Sequence, residues 1–173
     1  MDLTANLDEL FLYKQKLFEL LCGDEKIVRL LLDREDVEVP NRDLPMKLVL
    51  PYNYVPEAAT HGSTYICFDI EIPRVENNTY LDPAIYVWAF CHQSKMVVEG
   101  GGGTRPDQLA LRINRVLLKS SAFGATPLQL ASVSSVSPIK GFWGKLLQYR
   151  TVAFNSPSSQ AGELRGPRRG SVP

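Results

Sequence analysis

Apolar residues recur at helical spacing near the start of the chain and at alternate positions in its middle, so both periodicities occur in one sequence. Leu7, Leu10, Phe11, Leu17, Phe18 and Leu21 fall on one helical stripe, with Asn6 as N-cap and Glu9 three residues on. Cys22-Gly23 ends that helix, since glycine takes the left-handed C-terminal conformation at little cost. Asp24 then caps a second short helix carrying Ile27, Val28, Leu31 and Leu32. The acidic stretch from Asp33 to Asp43, containing Pro40, reads as a connector.

Strand patterns follow. Met46 to Leu50 is short and β-prone, with Pro51 and Pro56 keeping it near an edge or a turn. Thr64 to Val75 alternates, with Ile66, Phe68, Ile70 and Ile72 on one face and Tyr65, Cys67, Asp69 and Glu71 on the other. This predicts a strand with one buried face. Glu76-Asn77-Asn78-Thr79 supplies turn chemistry. Ala84 to His92 is apolar on both faces, which places it centrally in the sheet, paired with the preceding strand as an antiparallel hairpin. Gly100 to Gly103 breaks the sheet, and Thr104-Arg105-Pro106-Asp107 opens a helix whose apolar stripe is Leu109, Ile113, Val116 and Leu117. Arg112, Arg115 and Lys119 lie mostly off that stripe. Leu128 to Val136 and Lys145 to Phe154 are the last two predicted strands, bracketing a Gly141-Phe142-Trp143-Gly144 loop.

The order predicts an α+β fold: a mainly antiparallel sheet with N-terminal helices and one central helix packed on a face. Residues 1–44 form the N-terminal helical segment, 45–155 the core domain and 156–173 an extended C-terminal arm. The arm is rich in Ser, Pro, Gly and Arg and cannot bury enough apolar surface by itself to offset its ordering entropy.

Composition narrows the class. The chain has 173 residues, of which 45% are hydrophobic and 22% charged, as in an ordinary globular protein and unlike a disordered or collagen-like chain. The longest apolar runs, such as Ala84 to Cys91, fall far short of the roughly 18–20 residues of a spanning helix. The N-terminus lacks a basic region leading into an apolar stretch, so no secretion signal is expected. Three cysteines, Cys22, Cys67 and Cys91, show no CxxC spacing and suit a reducing compartment.

Charge cancels overall, nineteen basic against nineteen acidic residues, but not locally. Residues 1–44 carry −5 and 45–104 carry −3, whereas 105–155 carry +6 and 156–173 carry +2. Such polarity suits head-to-tail contacts between copies. A basic half facing nucleic acid is the alternative, with few phosphate contacts to supply its affinity.

Catalytic and metal chemistry find little support. Cys67, Cys91 and His92 sit on pairing strands, yet Cys91 and His92 are adjacent and point to opposite faces. His61 is the other histidine, so a general base has few candidates, and no GxSxG or caspase-like signature is present. Asp69 and Glu71 share a strand face, which a solvated surface explains as well as a carboxylate pair. The Gly100–Gly103 run lacks the Lys-Ser or Lys-Thr of a phosphate-binding loop. No cofactor, metal or catalytic residue is expected. Phe142 and Trp143 are set to fold onto the core or to anchor a subunit interface, where aromatics concentrate binding energy.

The element order resembles the small tail-terminator and head–tail connector proteins of tailed bacteriophages, over roughly residues 45–155. Asp107-Gln-Leu-Ala-Leu-Arg-Ile-Asn-Arg-Val-Leu-Leu-Lys-Ser120, followed by Ala122-Phe123-Gly124, is similar to the second helix and following turn of such proteins. Gly144-Lys-Leu-Leu-Gln-Tyr-Arg-Thr-Val-Ala-Phe-Asn155 is similar to their final strand. The resemblance implies a non-enzymatic ring subunit of the neck, usually of sixfold or twelvefold symmetry. It caps the tail tube and docks it to the head connector; a head-completion or adaptor ring is the neighbouring alternative. The implied partners are further copies in a hexameric ring, the tail tube and neck proteins, with no membrane and with DNA at most in the ring lumen. The implied location is the virion, after assembly in the host cytoplasm. Arg112, Arg115, Phe142, Trp143, Arg165, Arg168 and Arg169 are the expected interface residues. The two-part helical N-terminus and the Arg-rich arm depart from a minimal terminator.

Overall fold

A computed structural model describes residues 8–54, 63–73, 75–76, 80–100 and 102–154. Among these residues, three α-helices, α1 (Asp8–Gly23), α2 (Glu25–Leu32) and α3 (Arg105–Lys119), accompany eight strands. The strands are β1 (Val49–Leu50), β2 (Thr64–Glu71), β3 (Val75–Glu76), β4 (Tyr80–Leu81), β5 (Ala84–His92), β6 (Gln129–Val136), β7 (Phe142–Arg150) and β8 (Ala153–Phe154). The main sheet has the order β1-β2-β5-β7-β6, antiparallel throughout except for the β1–β2 pair. β3, β4 and β8 form a small second antiparallel sheet. The fold is α+β, and β5 is the central strand, as its two apolar faces predict. The β2–β5 hairpin is also as predicted, with Glu71 opposite Ala84 and Thr64 opposite Cys91.

One large core joins the three helices to one face of the sheet. Leu17 and Leu21 of α1, Ile27 and Val28 of α2, and Leu109, Ile113 and Leu117 of α3 meet Ile66, Phe68, Val87 and Leu147. The N-terminal helices therefore share their packing with the sheet. Phe18 stacks edge-on against Phe68 at 5.0 Å between centroids, and Tyr13 against Phe123 at 5.6 Å. The Tyr13 hydroxyl accepts the Gly124 N–H at 2.9 Å. Gly124 has φ +66°, and a Cβ there would lie 2.5 Å from the Val152 carbonyl, so only glycine fits this turn.

The predicted cap at Asp24 forms, and α3 opens where expected. Asp24 accepts the Ile27 N–H at 3.1 Å, and Thr104 with Asp107 makes a reciprocal capping box at the start of α3. Asn6 and Leu7, the Asn77–Thr79 part of the turn and the whole of 156–173 lie outside the described residues.

Several elements differ from expectation for identifiable reasons. Phe11 is 76% exposed, because the buried stripe of α1 runs through Tyr13, Leu17 and Leu21 and a residue two positions from Tyr13 faces away from it. β2 is buried on both faces from Thr64 to Phe68, not on one. Its second face carries a separate cluster of Leu50, Tyr65, Cys67, Phe90 and Phe142, with Tyr54 and Ile139 packed against it. The first predicted strand shrinks to Val49–Leu50, since the Leu44 carbonyl collects the N–H groups of Lys47, Leu48 and Val49 in a turn. The Phe142-Trp143 loop is instead the opening of β7, paired with His92 and Cys91. At its far end that predicted strand breaks after Arg150, and Ala153–Phe154 joins the second sheet.

Candidate assembly surface

The outer surface of α3 follows from its helical geometry. With Leu109, Ile113 and Leu117 buried, Leu111, Arg115 and Leu118 are carried out to solvent, and Lys119 with them. Leu111 is 53% exposed. This ridge interleaves two leucines with two cations. Among the described residues, Arg115 and Lys119 have no ion-pair partner within reach.

A shallow groove of about 300 Å³ separates the ridge from the sheet, lined by Ala110 and Leu111 of α3, Leu130 and Val133 of β6, and Leu147 of β7. At its end, Lys145 bridges Asp107 at 3.4 Å and Ser135 at 3.2 Å. Beyond the groove lies β6, where every residue from Gln129 to Ser135 is exposed. Exposed apolar surface thus runs from Leu111 of α3 across the groove to Leu130 and Val133 of β6.

The expected interface residues separate on folding. Arg112 turns inward and forks onto Asp24, Nε to Oδ1 at 2.9 Å and Nη2 to Oδ2 at 2.7 Å. Burial pushes the Asp24 carboxyl up, but the hydrogen bonds from Arg112 and Ile27 outweigh it and hold it below the usual carboxylate range. Arg115 is exposed, as an interface requires. Phe142 is fully buried between Tyr65, Phe90 and His92, and its ring offers nothing to a neighbour. Trp143 is 52% exposed. Arg165, Arg168 and Arg169 lie outside the described residues.

The charge polarity along the sequence is met in part inside the molecule. Arg105 is buried and donates to the carbonyls of Lys95 and Leu30 and to Asp33, which Lys95 also binds. Hydrogen bonds from Lys95 and Arg105 hold the Asp33 carboxyl down. With Arg112 on Asp24, two cations of the basic half are tied to the acidic N-terminal segment.

Most of the residues weighed for chemistry are engaged or buried. Lys14 meets Asp69 at 3.0 Å, and Glu71 is exposed. The Cys67 side chain lies in the second cluster, whereas Cys91 on the other face meets the Met96 sulfur at 3.5 Å. All three thiols are buried, and burial pushes each up to about 11. Among the described residues, no group of three or more His, Cys, Asp or Glu is placed to hold a metal ion, and no helix is long and apolar enough to cross a membrane.

Sequence reasoning passed over Leu111, Leu118, Leu130 and Val133. The available signal was two leucines seven apart, off the buried stripe of α3, and a Ser-rich strand with no acidic or basic residue.

No curated protein matches the chain. A family model named YomW matches residues 24–151, from the cap of α2 to the turn after β7. That span takes in α2, α3 and the whole main sheet, and the chain belongs to the YomW family.

Proposed function

We propose that this protein is a structural ring subunit of a phage head–tail neck, most specifically the tail terminator that caps the tail tube and docks it to the head connector. The YomW family is phage-derived, which supports the association with phage. The observation that carries the assembly role is the α3 ridge, where exposed Leu111 and Leu118 alternate with Arg115 and Lys119. Exposed leucines flanked by uncommitted cations make a surface that excludes water at its centre and selects an acidic partner at its rim. In a ring, one such surface per copy meets a different surface on the next copy, which permits closure. A head-completion or adaptor ring would use the same surface against a different neighbour.

The placement of the cations favours assembly over nucleic-acid binding. Arg105, Arg112 and Lys145 are bound to carboxylates of the same chain. Four cations of the 105–154 half, Arg115, Lys119, Lys140 and Arg150, then remain to release counterions from a phosphate backbone, fewer than the seven the sequence offers.

The test is the mass of the full-length protein by light scattering, alone and mixed with purified tail tubes, with electron microscopy of the product. Rings that weaken at high salt and are lost in the Arg115→Glu, Lys119→Glu double variant support the reading. A chain that forms no ring and binds no tube sinks it. Binding to connector rings and not to tubes moves it to the adaptor position.

A further inference from the structure

The two edges of the main sheet are treated differently. On the β2 side, β1 covers the start of the strand through Val49–Ile66 and Leu50–Cys67. Past β1, the Ile70 N–H is taken by the Asp69 carboxylate at 2.9 Å. Lys14 of α1 locks that carboxylate and also donates to the Pro51 carbonyl at 3.2 Å. A charged pair and a side-chain cap are devices that stop a strand edge from pairing further.

The β6 side has no such device beyond one bulge. Among the described residues, β6 pairs with β7 and has no strand on its other side. Its eight residues, Gln-Leu-Ala-Ser-Val-Ser-Ser-Val, include no charge and no proline. The bulge at Ala131 leaves Ser132 to Val136 as a regular run. Val133, 51% exposed, lies on the face of α3 beside Leu147, and Ser134 on the opposite face beside Leu146. A long, uncharged, exposed edge is a template for strand addition.

We propose that β6 is completed by β6 of a second copy, joining two main sheets across a twofold axis. The alternatives within this chain are worse. The opposite sheet edge is closed, so edge-to-edge growth from head to tail is blocked. The segment 155–173 carries +2 and contains three prolines, and Lys145 of β7 already reaches across to Ser135 of β6. A basic, proline-containing strand is a poor match for that setting. Self-pairing of β6 opposes only neutral side chains, and Ser and Val are residues that pair well across strands. This pairing does not rest on the neck reading. It is isologous and makes pairs, whereas a ring needs contacts of the α3 ridge with a different surface.

The experiment is sedimentation of the full-length protein over a wide concentration range, with amide hydrogen exchange read at Gln129–Val136. Dimers should form whose β6 amides slow as protein concentration rises. Val133→Lys, at an exposed site, should weaken the dimer about tenfold or more by placing like charges across the twofold. Ser134→Lys repeats the test on the other face. Raising salt should leave the dimer unchanged, because β6 itself carries no charge, whereas contacts made by Arg115 and Lys119 to an acidic surface weaken. A monomer at every concentration with freely exchanging β6 amides overturns the proposal, as does a dimer indifferent to both lysine variants. Protection of β6 in a monomer, released by combined Arg165→Glu, Arg168→Glu and Arg169→Glu, overturns it in favour of the C-terminal segment.

Discussion

Replacing Arg112 with alanine separates an internal staple from an interface residue. In the folded chain its guanidinium grips both oxygens of Asp24, whose side chain is 12% exposed and also caps α2. The pair lies between the exposed class, worth up to about 1 kcal/mol, and the fully buried class, where loss of one partner costs about 3–5 kcal/mol. Arg112→Ala should therefore cost about 1–2 kcal/mol. Asp24→Ala removes the same pair and the cap, which is worth a further ~1 kcal/mol. Asp24→Asn keeps a capping oxygen and should fall between them. Urea unfolding of the two single variants and the double variant closes a cycle, whose coupling should be about 1 kcal/mol. Stability unchanged in Arg112→Ala, together with lost self-association, would refute the reasoning and return Arg112 to the subunit interface.

Three further outcomes follow from the packing and the ionisation. Gly144 sits opposite Phe90, and a Cβ there would lie 2.4 Å from both the Ala89 carbonyl oxygen and the Phe90 Cβ. Gly144→Ala should cost about 3 kcal/mol or prevent folding, measured by thermal unfolding, because backbone must shift to admit the methyl. The three cysteines are buried with thiols raised to about 11, so a thiol reagent at pH 8 should modify none in the native protein and all three in denaturant. Asp24, Asp33 and Asp107 all ionise below their ordinary range in the folded chain. Their stabilisation is complete above the unfolded carboxylate pKa, about 3.9, and is lost as pH falls through the lower folded values. Urea midpoints should fall through that acid range, and Asp33→Asn should flatten the dependence.

The assembly surface shows where local pattern stops being informative. Apolar periodicity marked Leu109, Ile113 and Leu117 as the inner stripe of α3 because burial of a helix face is a local, periodic property. The same pattern treated Arg112 and Arg115 alike. They differ because Asp24, eighty-eight positions away in sequence, comes within reach of one of them. The sequence pattern puts Phe142 and Trp143 together in a glycine-bounded loop. Once β7 starts at Phe142, alternation sends one ring into the second cluster and the other to solvent.

The sequence by itself determined the α+β class, the three helices with the cap at Asp24 and the opening of α3 at Thr104–Asp107, the β2–β5 hairpin and the central place of β5. These rest on hydrophobic period, capping chemistry and turn residues, all of which act over a few neighbouring positions. Tertiary structure alone decided that β2 is buried on two faces, that the basic and acidic halves neutralise each other at Asp24 and Asp33, and that one sheet edge is closed by Lys14 and Asp69 while β6 stays open. Each of these depends on which distant residues share a neighbourhood, and pairwise contact between remote positions leaves no period in the chain.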